Sequence, residues 1–286
     1  MSTTTSQQRD ILLIQQAISG DSSSLEKLIK KYQDWIFNVA VNFTGDRDEA
    51  ADLSQEVLIK MITKLSSFRQ DSQFTTWLFR ITKNHFLNSK RRQTELNSLS
   101  FEAFGQGLDL APDIPLSNHI EPEGKLLVKE AKLSCMKGML LCLEPAQRMI
   151  YILGELFEFP DTIGGEIMEI SKANFRVKLH RSRQQLYNFM NEKCGLVNKN
   201  NPCRCANKTA AFIEKGFVDP VNLHFQKDTL KRIDEVLEEK IEDFQKDIHE
   251  DYQKLFQEHP FLENPKTEII KDWLNSDKMK EVFDLK

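Results

Sequence analysis

Residues 66–92 read SSFRQDSQFTTWLFRITKNHFLNSKRR, a polar loop followed by a helical pattern in which cations and aromatic rings are interleaved. From Phe79 to Arg92 there are five Lys and Arg residues and no acid. A basic helix face can neutralise DNA phosphates, and a loop beside it can hold an unstacked base against aromatic side chains. The same composition fits an ordinary amphipathic helix with a cationic solvent face, so the residue types alone leave both interpretations open.

Apolar residues recur at helical spacing on the N-terminal side of this segment and within it. The pattern predicts four helices, over residues 8–19, 22–44, 47–64 and 74–92. Gly20-Asp21 and Gly45-Asp46 separate the first three, and Asp46 is placed to cap the third. Four helices of this size are expected to form one compact domain that ends near Arg92.

The helical periodicity stops between residues 93 and 123, where Asn, Ser, Gly and Pro cluster. This stretch is predicted to be a linker rather than a core segment. Further helices are predicted over 124–143, 145–158, 160–168 and 172–192. Ser171 should cap the last of these. The fold class is therefore all-α, with two small helical domains and a C-terminal extension.

Bulk composition narrows the class of protein. The chain has 286 residues, 40% of them hydrophobic and 29% charged, as expected of a soluble globular protein with two small domains. No apolar run approaches the roughly 20 residues that a membrane helix needs, and the N-terminus lacks a signal-peptide pattern, so we expect a cytoplasmic protein without membrane insertion. No Ser/His/Asp set, phosphate loop or paired-carboxylate site is recognisable, so an enzyme is not expected.

The C-terminal residues differ from the rest in charge and in pattern. Residues 226–286 carry 11 Lys and Arg against 17 Asp and Glu, whereas the net charge of the whole chain is −4. Apolar positions in this tail follow a two-position seam: Leu230, Ile233, Leu237, Ile241, Phe244, Ile248, Tyr252 and Leu255. A helix with such a seam has to bury it against its own chain or a partner.

The segment that starts with Phe68-Arg69 and continues through Thr76-Trp77-Leu78 to Asn84 resembles the promoter-melting region of bacterial RNA polymerase sigma factors of the extracytoplasmic-function type. The resemblance covers about residues 10–193. It implies a sigma region 2 domain over 8–92, a linker over 93–123, a helix-turn-helix region 4 domain over 124–193, and an extension over 194–286. It also implies the function of an alternative sigma factor, which binds core RNA polymerase and promoter DNA.

Two other functions remain open at this stage. One is a sigma-like DNA-binding regulator that does not initiate transcription, and the other is an interaction protein dominated by its helical tail. The tail itself is a candidate intramolecular partner, which would fold back on the DNA-binding face, and an anti-sigma protein is another candidate partner.

The stretch Asp52-Leu53-Ser54-Gln55-Glu56-Val57 is similar to the surface that sigma factors present to the clamp helices of the largest polymerase subunit. The resemblance implies core-polymerase binding by Asp48, Glu49, Asp52, Gln55 and Glu56. Acids facing a basic partner provide long-range steering, and a Gln adds directional hydrogen bonds. A solvated acidic face without a partner is the alternative.

The resemblance assigns the −10 promoter element to the loop and the basic helix. The residues expected around one extruded base are Phe68, Arg69, Ser72, Phe74 and Asn84. The cations expected along the DNA are Arg80, Lys83, Lys90, Arg91 and Arg92. Trp77, which shares an apolar stripe with Leu78 and Ile81, is interpreted mainly as a core residue.

The helix from Lys172 onward is rich in cations and follows a short helix and a tight turn, which is the layout of a helix-turn-helix. Its first turn should face base edges of the −35 element, and the resemblance implies contacts by Lys172, Ala173, Asn174, Arg176, Lys178, His180, Arg181 and Arg183. Two departures from the family pattern occur, since Glu169 stands at a turn position usually held by glycine and Gly164-Gly165 interrupt the supporting helix. This helix is therefore expected to be irregular.

Cys194, Cys203 and Cys205 form a third constellation, in a segment that resembles one found after the second domain of some extended sigma factors. The three thiols could bind zinc with His180 or His224 as the fourth ligand, or act in redox sensing. They could equally be three reduced thiols in a turn, with no cofactor. Cys135 and Cys142 are expected in a helix core.

Overall fold

The computed structural model describes residues 2–93, 99–114, 122–221 and 223, and the side chains of this set except those of 2–7, 89–93 and 122. Ten α-helices account for most of it: α1 Ser2–Ile18, α2 Ser22–Thr44, α3 Arg47–Thr63, α4 Phe74–Gln93, α5 Phe101–Leu110, α6 Pro122–Leu141, α7 Pro145–Tyr151, α8 Asp161–Met168, α9 Lys172–Lys193 and α10 Cys205–Glu214. The predicted all-α class is confirmed. Within the described residues, no helix is both long and apolar enough to cross a membrane.

Local capping explains where the N-terminal helices begin and end. Asp21 accepts a hydrogen bond from the Ser23 amide at the start of α2, and Asp46 accepts one from the Glu49 amide at the start of α3. These carboxylates satisfy amides that have no partner inside the helix. Gly45 ends α2 with a φ of 76°, a left-handed conformation that glycine adopts without a Cβ penalty.

The chain divides into two compact units, which do not coincide with the predicted domains. Among the described residues, the first unit comprises 2–93 and 159–176, and the second comprises 99–114, 122–158, 177–221 and 223. The predicted domain boundaries stay predictions. The core of the first unit lies between α2, α3 and α4, where Ile36, Val57 and Phe86 are fully buried. This packing positions the acidic flank of α3 and the basic helix α4.

Helix α5 lies inside the segment that the sequence predicts as a linker. Phe101 and Phe104 pack their rings on Phe189 at centroid distances of 5.3 and 5.7 Å, and Leu108 is buried. Gly105 allows the close approach, since a Cβ there would lie 3.2 Å from the Phe189 ring. The prediction that 93–123 contributes nothing to a core is therefore wrong for 101–111.

A π-helical turn, Ile152–Leu156, extends α7 in the second unit. Gly154 within it lies directly against Leu179 of α9, because a Cβ at residue 154 would be 2.6 Å from a Leu179 methyl carbon. The extra residue in the π turn and the missing side chain together let α9 pack closely on this segment.

Candidate nucleic-acid interface

The acidic flank predicted on α3 faces solvent. Asp48, Asp52 and Glu56 are exposed, while Glu49 and Gln55 are half-buried. Ala50 and Val57, on the opposite side of the helix, are completely buried in the first unit. The helical register of α3 therefore separates the apolar and acidic sides as the sequence indicates. Binding of core polymerase by this flank stays a prediction.

One member of the acidic flank contacts the basic helix. The Oε2 atom of Glu56 lies 2.8 Å from Nε2 of His85 on α4, and the ammonium of Lys60 contacts Nδ1 of the same ring. Burial lowers the pKa of His85, the nearby Lys60 lowers it further, and Glu56 opposes both effects. The sequence alone does not reveal this contact, because Glu56 and His85 lie on different helices.

Aromatic rings from the loop before α4 form a packed cluster. Phe68 and Phe74 lie 5.4 Å apart, and Trp77 stacks on Phe74 at the same centroid distance. Phe68 is 9% exposed and Phe74 is 3% exposed, so both rings belong mainly to the core. Trp77 is half-buried, consistent with its interpretation as a core residue.

The remaining residues of the predicted base pocket lie at the surface. Arg69 and Asn84 are exposed and Ser72 is half-exposed. In this conformation Phe68 and Phe74 pack in the core beneath the loop, so their ring faces are not accessible for stacking of a base. The assignment of all five residues to the −10 element stays a prediction.

Two of the cations on α4 are engaged by acidic residues near the end of α8. Arg80 donates to the backbone oxygen of Glu166 at 3.1 Å and to its carboxylate at 2.7 Å. Lys83 is 4% exposed and donates to the carboxylate of Glu169 at 2.6 Å. This hydrogen bond, with the positive charge of Lys83, lowers the pKa of Glu169.

The sequence shows the spacing of these residues but not which of them pair. Arg80 and Lys83 are three residues apart, as are Glu166 and Glu169, so each pair lies on one side of its element. Nothing in a linear pattern shows that the two pairs face each other. The helix α4 also carries Lys90, Arg91 and Arg92, whose side chains lie outside the described residues.

The glycines of α8 are explained by close packing on α9. A Cβ at Gly164 would lie 2.3 Å from the ring of Phe175, which is fully buried, and a Cβ at Gly165 would lie 3.0 Å from the Ile170 oxygen. Helix α8 is nonetheless continuous from Asp161 to Met168. The expectation that the glycines make this helix irregular is therefore wrong.

The turn between α8 and α9 is short and capped. Glu169 has a φ of 57°, a left-handed conformation that favours glycine, and Ser171 accepts a hydrogen bond from the Asn174 amide at 3.2 Å. The pair α8–α9 thus has the compact helix–turn–helix arrangement that the sequence predicts, with a glutamate in the position that strains the backbone.

The first turn of α9 is open to solvent. Lys172, Ala173, Asn174 and Arg176 are all exposed, as base-reading side chains at the start of a recognition helix should be. Arg176 also contacts Asp161 of α8 at 2.8 Å. The Arg176 side chain is 61% exposed in this ion pair, and exposed ion pairs are weak, so the guanidinium remains able to contact DNA. The base-reading role stays a prediction.

The cations farther along α9 differ in how far they are exposed to solvent. His180 and Arg181 are exposed and Lys178 is half-buried. Arg183, in contrast, points inward and forms an ion pair with the fully buried carboxylate of Glu155. Because a buried carboxylate without its cation would be strongly destabilising, Arg183 has a structural partner that the predicted phosphate contact did not foresee.

The cysteine loop after α9 is held by main-chain hydrogen bonds. Residues 194 and 203 pair in an isolated parallel bridge, and the Gly195 amide donates to the Cys203 oxygen at 3.1 Å. The guanidinium of Arg204 donates to the carbonyl oxygens of residues 199, 201 and 203. These bonds order the loop and bring Cys194 and Cys203 together.

A fourth thiol lies near the other three, because Cys205, Cys194 and Cys203 each contribute, after burial, to raising the pKa of Cys135 in α6. The zinc interpretation stays a prediction. Among the residues that the structure describes, no group of three or more His, Cys, Asp or Glu side chains has the spacing of a metal site. Burial raises the pKa of Cys205 to about 12 and raises that of Cys203 as well, with the neighbouring Cys194 adding to both shifts. Without a bound metal these two thiols are therefore protonated near neutral pH, which makes them poor nucleophiles. His224 and the seam of the acidic tail lie outside the described residues.

Taken together, an exposed acidic helix flank, a basic helix and a helix-turn-helix with an exposed first turn are the features expected of an all-α protein that contacts both a protein partner and DNA. Comparison with known proteins supports this class. Residues 28–95 match the family model described as Sigma-70 region 2, over a span that includes most of α2 and all of α3 and α4.

Curated relatives point to the same type of protein. The chain is 26% identical over 174 residues to the ECF RNA polymerase sigma factor SigW of Bacillus subtilis, covering 60% of this chain and 92% of that protein. It is 28% identical over 185 residues to the ECF RNA polymerase sigma-E factor of Escherichia coli, covering 63% of this chain and 93% of that protein. It is 36% identical to the RNA polymerase sigma-H factor of Pseudomonas aeruginosa over 113 residues, which cover 38% of this chain and 58% of that protein.

These similarities agree with the resemblance to sigma factors of the extracytoplasmic-function type. The matches to SigW and sigma-E cover about three fifths of the chain, a share close to the extent of the resemblance stated from the sequence.

Proposed function

We propose that this protein is an alternative sigma factor, which binds core RNA polymerase, recognises promoter DNA and initiates transcription without catalysing a reaction of its own. The observation that carries the proposal is the coincidence of the region 2 match with the exposed acidic flank of α3 and the basic helix α4. Because polymerase and chromosomal DNA are its partners, the protein acts in the cytoplasm. The cysteine loop and the acidic tail mark it as an extended member of the group.

Each half of the proposed activity has its own set of residues. Asp48, Asp52 and Glu56 provide negative charge on one exposed side of α3, which suits a positively charged docking site on the polymerase. Lys172, Asn174 and Arg176 provide the exposed first turn of α9 for the −35 element, since Asn pairs with adenine and Arg with guanine in the major groove. Asn84 and Arg69 are the exposed candidates at the −10 element.

Run-off transcription tests the proposal directly. Purified protein is combined with bacterial core polymerase on fragmented genomic DNA of the source organism, and the 5′ ends of the transcripts are sequenced. We expect transcripts from a limited set of start sites that share two upstream motifs. Binding of DNA without any such transcript would instead identify a regulator that does not initiate.

A charge reversal locates the polymerase-binding surface. The double variant Asp48→Lys/Asp52→Lys should bind core polymerase about tenfold more weakly, equivalent to about 1.4 kcal/mol, because the steering charge changes sign. The matched control is Glu214→Lys, an exposed reversal on α10. Equal binding by the double variant and the control would remove α3 from the polymerase interface.

A further inference from the structure

Helix α10, which follows the cysteine loop, lies against α6 in the second unit. Thr209 and Phe212 of α10 are buried. The Ser134 hydroxyl of α6 donates a hydrogen bond at 2.7 Å to the oxygen of Phe217, just beyond α10. Because Ser134 immediately precedes Cys135, this bond holds α10 beside the part of α6 that carries a cysteine.

Three thiols gather at the start of α10. Cys205 is the first residue of this helix, and Cys203 pairs with Cys194 in the β-bridge that closes the loop. Burial is the largest cause of the raised pKa of Cys135, and the three loop thiols follow it. Since electrostatic effects weaken with distance, Cys135 lies near all three. All four residues are half-buried, so an ion can reach them from solvent.

The fifth cysteine is apart from the loop. Cys142 lies just after the end of α6, and its Sγ atom donates to the Gly138 oxygen at 3.3 Å. Burial raises the pKa of Cys142 to about 12, and no thiol of the loop contributes to that shift. The cysteines therefore divide into a cluster of four and one that serves as a natural control.

The exposed His180 cannot be a fourth ligand beside the loop thiols. It precedes Cys194 by 14 residues on the continuous helix α9, which corresponds to about 21 Å along the helix axis. Cys135 is the group that the fold brings to the loop instead.

Cations beside the cluster suit a site with excess negative charge. Arg204 and Lys208 oppose the effect of burial on the pKa of Cys203, and Lys132 does the same for Cys205. Four thiolates around one divalent ion carry a net charge of about −2, which these three cations offset.

We propose a Zn²⁺ site that fastens α10 to α6, called the four-thiol site below and formed by Cys135, Cys194, Cys203 and Cys205. Binding replaces four S–H bonds by four Zn–S bonds and releases the protons to solvent, without transfer of electrons. A set of sulfur ligands favours Zn²⁺ over Mg²⁺ and Ca²⁺, which prefer oxygen. Within the described residues the sulfur atoms do not have the spacing of a metal site, but rotation about χ1 moves each by up to about 3 Å while the backbone stays in place.

The same site secures helix α5 in the predicted linker. Lys208 of α10 is 5% exposed, and its Nζ atom donates at 2.5 Å to the Ala111 oxygen at the end of α5. The Asn207 oxygen of α10 accepts a hydrogen bond from the Ile114 amide at 2.9 Å. Because both contacts start from α10, an ion that holds α10 in place also stabilises residues 101–114.

Metal content and zinc affinity test the site in the full-length protein. The protein is purified without chelator for metal analysis by mass spectrometry, and the metal-free, reduced form is titrated with Zn²⁺ against a chromophoric chelator. We expect about one Zn²⁺ per chain and at least about tenfold weaker binding by Cys135→Ser, because one of four ligands is lost. Cys203→Ser, in the loop rather than in a helix, should lose as much. Cys142→Ser is the matched control and should change the affinity by less than about twofold.

Hydrogen exchange adds a measurement that does not depend on metal analysis. Addition of Zn²⁺ to the metal-free protein should slow exchange at least about fivefold in peptides covering 101–114 and 205–214. Cys142→Ser should show the same protection, whereas Cys135→Ser and Cys203→Ser should not.

The other outcomes overturn the four-thiol site. Absence of zinc from the purified protein and no binding in the titration would remove it, and equal affinities of Cys135→Ser and Cys142→Ser would exclude Cys135 as a ligand. Retention of iron or copper in place of zinc would refute the choice of metal. Zinc binding with unchanged exchange in both peptides would show that the ion does not fasten α10. These measurements use neither polymerase nor promoter DNA, so their failure is distinguishable from failure of the proposed function.

Discussion

Replacement of Gly164 by alanine tests the packing that orients the recognition helix. A Cβ at this position would meet three ring atoms of Phe175 at 2.3, 2.6 and 2.7 Å, and that ring is fully buried and cannot move away freely. Alanine is favoured over glycine inside a helix by about 1 kcal/mol. Overpacking a core typically costs about 1–3 kcal/mol, and three simultaneous clashes place this site at the upper end. We expect a net loss of about 1–2 kcal/mol.

Gly107→Ala is the matched control, because Gly107 lies in α5 with no atom within 4 Å of its virtual Cβ. Its expected effect has the opposite sign, a gain of up to about 1 kcal/mol from helix propensity alone. Urea denaturation followed by far-UV circular dichroism measures both variants against the wild type. If Gly164→Ala is as stable as Gly107→Ala, the close approach of α8 and Phe175 is not a feature of the folded protein.

Two further substitutions probe buried charged groups. The pKa of His85 lies below its ordinary value of 6.5, mainly because of burial, so the unfolded chain binds a proton more readily than the folded chain and stability should fall as the pH drops below 6.5. His85→Gln should reduce that pH dependence when denaturation at pH 7.5 is compared with denaturation at pH 5.5, and an undiminished dependence would refute a role for this histidine. Arg148 is 6% exposed and donates to the carbonyl oxygens of residues 140, 141 and 143, so Arg148→Met should cost about 2–4 kcal/mol by leaving those carbonyls unsatisfied. The exposed Arg181→Met should change the unfolding free energy by less than about 0.5 kcal/mol, and equal effects of the two arginine variants would refute the capping role.

Helix positions could be predicted from the sequence because the signals that set them are local. Asp21 and Asp46 cap the helices that follow them, Gly45 ends α2, and apolar residues repeat at helical spacing between these points. Helix α5 was not predicted because it is only ten residues long and contains two glycines. Its stability depends on Phe189, more than 75 residues away in the chain, which no local pattern reveals.

The sequence predicted which charged and polar residues belong to the candidate site, but it did not predict which cations pair with which acids. Exposure of Asp52 on α3 and of Asn174 on α9 follows from the register of an amphipathic helix. The inward orientation of Arg183 depends on Glu155, and burial of Lys83 depends on Glu169, so both are decided by tertiary packing. A cation in a sequence therefore indicates a phosphate contact only after the acids that could reach it have been located.

The main-chain hydrogen bonds of the cysteine loop determine which of its residues can change during evolution. Arg204 and the Gly195 amide bind main-chain carbonyl oxygens, which every amino acid supplies, so they fix the path of the loop without reference to the side chains between them. Lys199 and Asn200 are exposed on that path. The loop is thus a surface on which side chains can vary while the backbone is preserved, provided that residue 195 has no Cβ to collide with Arg204 and the Cys203 oxygen. Single substitutions at these positions could therefore give related chains different recognition surfaces without unfolding the loop.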